Sequence, residues 1–188
     1  MLTAELAELD AAGFLAGRGE SEDEYLARVA KIRFAHAEFA SQLENETEVE
    51  ALPGITVRKN DAIPPDFYDA PAETTRSLYG FEVRHVPGFF LSRQVGLLWG
   101  GCLIGDTEKH FSLFLLRDTF RARKRWLFYR RDELLAHELC HSARQALSEN
   151  TLEEFFAYQT SPSILRRKFG NCFINDRDAV LVVVPPLV

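Results

Sequence analysis

Cysteine is scarce in this chain of 188 residues, which contains three cysteines and one methionine. Cys102, Cys140 and Cys172 are far apart in the sequence, and none of them belongs to a Cys-x-x-Cys pair. This pattern argues against a disulfide framework and against a metal site built from paired cysteines. We therefore expect reduced thiols, which are typical of a cytoplasmic protein.

Positive charge is also in deficit, because 22 Lys and Arg residues face 28 Asp and Glu residues and leave a formal net charge of −6. Proteins that bind the phosphate backbone of nucleic acids usually carry a positive field, so we expect no nucleic-acid partner. A local exception is the stretch 117–131, where seven Lys and Arg residues are interleaved with Trp126, Phe128 and Tyr129. Such a stretch can bind RNA or an acidic partner, but we favour a solvated turn.

Long hydrophobic runs are missing as well. The longest one, residues 179–188, is about half the length of a membrane-spanning helix of roughly 20 residues. We expect a buried strand that ends at Pro185 and Pro186. In the alternative, the natural protein continues beyond Val188 and this run begins a membrane segment. Residues 1–10 carry acids where a secretory signal carries Lys or Arg, so we expect no standard export signal.

The patterns that are present follow one another in the order helices, short strands, helices. Residues 1–50 have amphipathic helical spacing, and Ser21 and Glu24 form a capping-box pattern at the start of the second helix. Short apolar stretches between glycines and prolines predict the following elements: strands at 55–58, 81–84, 97–99, 102–104 and 111–116, a turn at 105–108 and a proline-rich loop at 63–71. Helices are predicted at 132–147, 151–158 and 163–168, the first with Asp132 as its N-cap.

This order predicts an α+β protein with a small mixed or antiparallel sheet. We divide the chain into an N-terminal helical arm, residues 1–50, and a second domain, residues 51–188. The arm could complete the core of the second domain or lie across a cleft as a regulatory prosegment.

The strongest motif is His-Glu-x-x-His at residues 137–141, inside the helix predicted at 132–147. Residues four apart lie on one face of a helix, so the imidazoles of His137 and His141 can converge on a single metal ion. Glu138 is about 100° further round the helix and can accept a proton from water at that metal. Cys140 lies inside the motif, and we expect it to be a packed, apolar thiol rather than a ligand.

Two histidines leave a tetrahedral zinc ion one protein ligand short. Glu153 and Glu154, twelve and thirteen residues after His141, lie in the next predicted helix and can supply it. With this second helix the sequence resembles the gluzincin group of zincin-like metallopeptidases, in which a glutamate in a Glu-x-Phe-Ala or Glu-x-Tyr-Ala setting is the third ligand. The resemblance implies Glu154 as that ligand, because it precedes Phe155, Phe156 and Ala157.

The resemblance also implies a zincin-like fold and a function. Zn²⁺ is then the cofactor, Glu138 is the general base, and the substrate is a peptide or protein that binds beside an edge strand. Residues 110–115 are our best candidate for a strand near the site. Candidates for contacts behind the ligands or for the oxyanion stabiliser are Tyr158, Glu153 and His110, together with His85, Tyr129 and Arg144. The alternative is a non-catalytic zincin-fold protein that acts as a metal-dependent sensor or interaction module.

Overall fold

The computed structural model describes residues 2–91, 99–147 and 150–169. Their helices and strands are α1 (Leu2–Ala11), α2 (Glu22–Asn45), β1 (Val49–Leu52), β2 (Ile55–Val57), α3 (Asp69–Tyr79), β3 (Gly88–Leu91), β4 (Gly101–Asp106), β5 (Phe111–Arg117), α4 (Thr119–Ala122), β6 (Arg125–Trp126), β7 (Tyr129–Arg130), α5 (Arg131–Arg144), α6 (Asn150–Gln159) and α7 (Ile164–Phe169). Short 3₁₀ turns lie at Lys59–Asp61, Pro65–Tyr68 and Gln145–Leu147. The described residues confirm the predicted α+β class.

A three-stranded mixed sheet in the order β3-β5-β4 organises the described core. β3 is parallel to β5, and β4 and β5 form an antiparallel hairpin in which Leu103 lies opposite Phe114. The expectation that residues 110–115 provide the edge strand near the site is wrong, because β5 is the central strand and β4 is the edge. Six of the seven residues of β5 are buried, as expected for a strand that is covered on both faces.

The two faces of β5 pack against different helices, because successive side chains of a strand point in opposite directions. Phe114 and Leu116 belong to a cluster with Leu135 and Leu139 of α5. Leu113 and its neighbours on the other face pack with Phe39 of α2 and with the β1–β2 hairpin. The second helix of the N-terminal arm thus completes the core on the face of the sheet opposite α5.

The capping box of α2 is confirmed, since Ser21 accepts from the backbone of Glu24 while the Glu24 carboxylate accepts from the backbone of Ser21. The helix after it was missed: part of the predicted loop at 63–71 is a 3₁₀ turn that continues into α3. Proline costs little in the first turn of a helix, where its missing N–H has no partner to lose. Gly80, in the left-handed conformation with φ of 81°, ends α3.

Other predicted boundaries need correction. Residues 81–84 form no strand, although Phe81 and Val83 are buried in the core. The turn between β4 and β5 falls at 107–110 rather than at 105–108, and α5 begins after Arg130, so Asp132 lies in the first turn and is not the N-cap. Predictions for residues 97–98, for Cys172 and for the run 179–188 lie outside the described residues. No described helix has the length and the apolar character needed to span a bilayer.

A buried histidine pair joins the arm to the rest of the chain. The ring of His85 stacks on Phe14 with centroids 4.1 Å apart, and the His85 carbonyl lies 2.9 Å from Nδ1 of His36 on α2. Burial lowers the pKa of His85 to about 3, with smaller contributions from His36 and Arg33. Burial also lowers the pKa of His36. Both rings are therefore neutral in the folded protein at pH 7.

We predict that a His85→Phe variant loses less stability on acidification than the parent protein does. In the unfolded chain His85 takes up a proton near pH 6.5, whereas the folded protein keeps it neutral down to about 3. The unfolded state then binds more protons, so stability present above pH 6.5 is lost as the pH falls. Between pH 7 and pH 5 the free energy of unfolding should fall by about 1–2 kcal/mol less in the variant. Urea denaturation at pH 7, 6 and 5 measures this, and parallel pH profiles for the two proteins would contradict it.

Candidate metal centre

The two histidines of the motif lie on the face of α5 that points away from the core. Leu135, Leu139 and Ala143 are buried against the sheet, which fixes the rotation of the helix. His137 and His141 then share a side of α5, and their Nε2 atoms are 3.0 Å apart. Their side chains are largely buried, and both present the same nitrogen to one point in space.

Glu154 on α6 reaches the same point from the neighbouring helix. Its carboxylate oxygens lie 3.5 Å from Nε2 of His137 and 3.3 Å from Nε2 of His141. One ligand atom from each of the three residues can be chosen so that all lie within 4.8 Å of one another. In a tetrahedral zinc site with bonds of about 2.0–2.1 Å, the ligand atoms are about 3.3–3.4 Å apart. The distances between these three side chains therefore fit a zinc ion.

Glu153 occupies a different position from Glu154, although the two are adjacent in the sequence. Its Oε2 lies 3.3 Å from Nδ1 of His141, and its Oε1 lies 3.3 Å from Nε of Arg144. The guanidinium of Arg144 in turn covers the ring of Phe156 at 4.1 Å. Carboxylates that contact the second nitrogen of a ligand histidine fix the orientation of its ring. The geometry thus gives Glu154 the ligand position and Glu153 the position behind His141.

The electrostatics of the cluster favour a neutral His137. Burial lowers the pKa of His137 below its ordinary value, and the nearby His141 lowers it further. Burial also opposes protonation of His141, but the neighbouring carboxylates, first of all Glu154, outweigh it and raise the pKa of His141. The hydrogen bond with His141 keeps the pKa of Glu154 low. His137 and Glu154 thus have the protonation state that metal binding requires, whereas any proton on His141 must be released when a metal binds.

Glu138 lies between α5 and the edge strand of the sheet. The backbone N–H of Phe114 donates to the Pro87 carbonyl on the β3 side, so the opposite residue Leu103 has its N–H directed away from β5. That N–H donates to Oε2 of Glu138 at 2.8 Å. Burial raises the pKa of Glu138 to about 7, while His141 and the Leu103 N–H oppose the increase. A carboxylate with this pKa can accept and return a proton near neutral pH.

Tyr158 contacts the cluster from one turn further along α6. Its ring meets the His137 ring edge to face, with centroids 4.7 Å apart. Burial, and after it the charge of Glu154, raises the pKa of Tyr158 to about 12. The phenol therefore keeps its proton at neutral pH and can donate a hydrogen bond beside the metal ligands.

Two contributors were missed by the sequence analysis. One is the Leu103 N–H, a backbone group whose role depends on strand pairing and leaves no mark in the sequence. The other is Arg166 on α7, whose guanidinium pairs with Glu133 at 2.7 Å and lies close enough to lower the pKa of His137. The short helix predicted at 163–168 is confirmed as α7, but only the fold shows that it borders the cluster.

Tyr129 lies close enough to Tyr158 to contribute to its raised pKa, whereas the described contacts do not bring His110, His85 or Arg144 to the ligand atoms. His110 lies in the turn between β4 and β5, where it lines a surface cavity of about 790 Å³ beside α2. His85 is packed against Phe14, and Arg144 contacts Glu153 rather than a ligand atom. Cys140 is completely buried, and burial raises the pKa of its thiol to about 12, as expected for a packed, unreactive cysteine.

Comparison of the chain with protein-family models, with curated proteins and with solved structures gave no match. The resemblance to zincin-like peptidases consequently depends on the His-Glu-x-x-His motif and the following glutamate alone.

Proposed function

We propose that the protein is a zinc-dependent hydrolase of peptide bonds with a zincin-like arrangement of its catalytic helix and ligand helix. The observation that carries the proposal is the convergence of His137, His141 and Glu154 from two helices, with one ligand atom of each inside a 4.8 Å group. Three protein ligands leave a tetrahedral ion one open position, which is the coordination of catalytic rather than structural zinc sites.

The chemistry is divided between the metal and the protein. Zinc, when bound, supplies a Lewis acid that lowers the pKa of water and polarises a carbonyl group. Glu138 is the proton acceptor, because it follows the first ligand directly and its pKa is raised to about 7. It would take the proton of the attacking water and pass it to the departing amine. Tyr158, protonated and adjacent to His137, is the best placed side-chain donor for the oxyanion.

The edge strand β4 supports the choice of an extended peptide as substrate. β4 pairs only with β5, so the opposite side of its backbone is unpaired within the described sheet. The Leu103 N–H on that side already contacts Glu138 at 2.8 Å. A peptide in extended conformation that pairs with this edge would bring a scissile bond close to Glu138.

The first prediction from this proposal concerns metal content. Protein purified without added metal should contain about one zinc per chain by elemental analysis. Glu154→Gln should remove most of it, because the ligand carboxylate is lost. Glu153→Gln is the matched control: the same change in the adjacent residue removes only the contact behind His141 and should weaken zinc binding by about 10–100-fold. Chelator competition measures both affinities. A larger loss of zinc affinity in Glu153→Gln than in Glu154→Gln would mean that Glu153 is the ligand. Parent protein that contains no zinc would contradict the proposed metal site.

The second prediction separates catalysis from metal binding. Glu138→Gln should retain zinc and lower cleavage of an unstructured protein such as casein by about 10²–10⁴-fold, the usual contribution of a general base. Glu38→Gln on α2, behind the sheet, is the control and should cleave at the parent rate. A zinc-loaded parent protein that cleaves nothing, in casein or in a mixed peptide library, would instead favour the metal-dependent sensor or interaction module.

A further inference from the structure

A second surface, next to the metal centre, combines exposed apolar side chains with unpaired positive charge. It is formed by the β6–β7 hairpin with the residues just before it, 123–130, and by α7. Four large apolar side chains are exposed on these segments: Leu127 at 60%, Phe128 at 49%, Ile164 at 60% and Leu165 at 70%. We call this surface the basic apolar face.

Arg166 holds the two segments of the face together. Its guanidinium donates to the backbone carbonyl of Phe128, and it lies 5.9 Å from the centre of the Tyr129 ring. It also pairs with Glu133 of α5. The hairpin tip and α7 are therefore neighbours, and their apolar side chains are presented on the same part of the surface.

The charge of the face has one sign. Six cationic residues on it are exposed: Arg123, Lys124, Arg125, Arg130, Arg167 and Lys168. Within the described part of the chain none of the six forms an ion pair. The acids that flank the hairpin in sequence, Asp118, Asp132 and Glu133, are instead paired with Arg121, Arg131 and Arg166. The net charge of the chain is −6, yet among the described residues this face gathers six cations that form no ion pair there.

We propose that the basic apolar face docks on an anionic lipid bilayer. Exposed aliphatic and aromatic side chains among Lys and Arg are the combination that inserts shallowly into a membrane interface while the cations bind acidic headgroups. Each Lys or Arg near such a surface contributes about fivefold in binding, the equivalent of roughly 1 kcal/mol. Single-stranded RNA is less well matched, because stacking on bases needs aromatic rings and three of the four apolar side chains are aliphatic.

The backbone at the hairpin tip agrees with this assignment. Leu127 has φ of 50°, in the left-handed region that is costly for a residue with a bulky side chain. Asn or Gly would adopt this conformation more easily. A large apolar residue that is both strained and 60% exposed adds nothing to the core, so its value lies in what it contacts outside the molecule.

Vesicle co-sedimentation of the full chain tests the proposal. Vesicles of phosphatidylcholine with about 30% phosphatidylserine should bind the protein in about 0.1 M salt, binding should fall in 0.5 M salt, and vesicles of phosphatidylcholine alone should bind it weakly. The double variant Lys124→Glu with Phe128→Ser should bind the anionic vesicles at least about tenfold more weakly. The matched control is Lys31→Glu with Phe34→Ser, which makes the same chemical changes to two exposed residues of α2 and should bind like the parent.

Leu127→Asn is a third variant, which removes an apolar side chain from the tip without straining the backbone and should also weaken binding. Equal losses in the α2 control and the hairpin variant, binding that ignores phosphatidylserine, or no binding to anionic vesicles would each overturn the proposal. The proposal would also be overturned if the parent protein binds a 20-nucleotide RNA but not anionic vesicles, and if the hairpin variant no longer binds that RNA. Glu138→Gln should bind vesicles normally, so this test is independent of the proposed peptidase activity.

Discussion

The packing of α5 against the mixed sheet is the interaction on which the candidate site depends. Leu135 and Leu139 are completely buried between α5 and the strands, and burial of each contributes about 1.5–3 kcal/mol. Because the apolar stripe fixes the rotation of the helix, it also fixes where the intervening residues point. His137 and His141 are directed to α6, and Glu138 is directed to the edge strand. Rotation of α5 by one residue, about 100°, would turn His137 and His141 away from α6 and Glu138 away from the edge strand.

Helix geometry and a short connection were enough to predict that His137, His141 and Glu154 lie close together. The contact between Glu138 and β4 depends instead on long-range strand pairing. The spacing of His137 and His141 on one helix face follows from 3.6 residues per turn, and the neighbouring helix brings Glu154 close because the connection is short. The sequence could not show that β4, 35 residues before Glu138, contacts it. The strand was expected at 102–104, but its place at the edge depends on β3 pairing with the far side of β5.

The fold errors have the same origin. Pro65, in the 3₁₀ turn before α3, and Pro71, in the first turn of α3, were interpreted as loop residues, although prolines occur equally well at a helix start. Phe81 and Val83 alternate as strand residues do. Within the described residues, however, segment 81–84 makes one backbone hydrogen bond to another segment, from the Glu82 N–H to the Ala11 carbonyl. Alternation of apolar and polar residues indicates which side chains are buried, but it does not indicate whether a neighbouring strand is present to pair with. By contrast, the capping box at Ser21 is a local hydrogen-bond pattern, and it was predicted correctly.

The charges around the cluster explain how a cation site can lie beside a strongly basic surface. Four carboxylates lie around the cluster. Glu153 and Glu154 contact His141, Glu138 is close enough for His141 to affect its pKa, and Glu133 lies four residues before His137 on α5. Two of them are paired with Arg144 and Arg166, and Glu138, with a pKa of about 7, is only partly ionised at neutral pH. Glu154 supplies the remaining full negative charge beside the histidines. Arg166 would otherwise extend the positive face to His137, but its pairing with Glu133 limits that field at the edge of the cluster. Because the three candidate ligands come from α5 and α6, a divalent ion bound by all three would stabilise the packing of these two helices against each other.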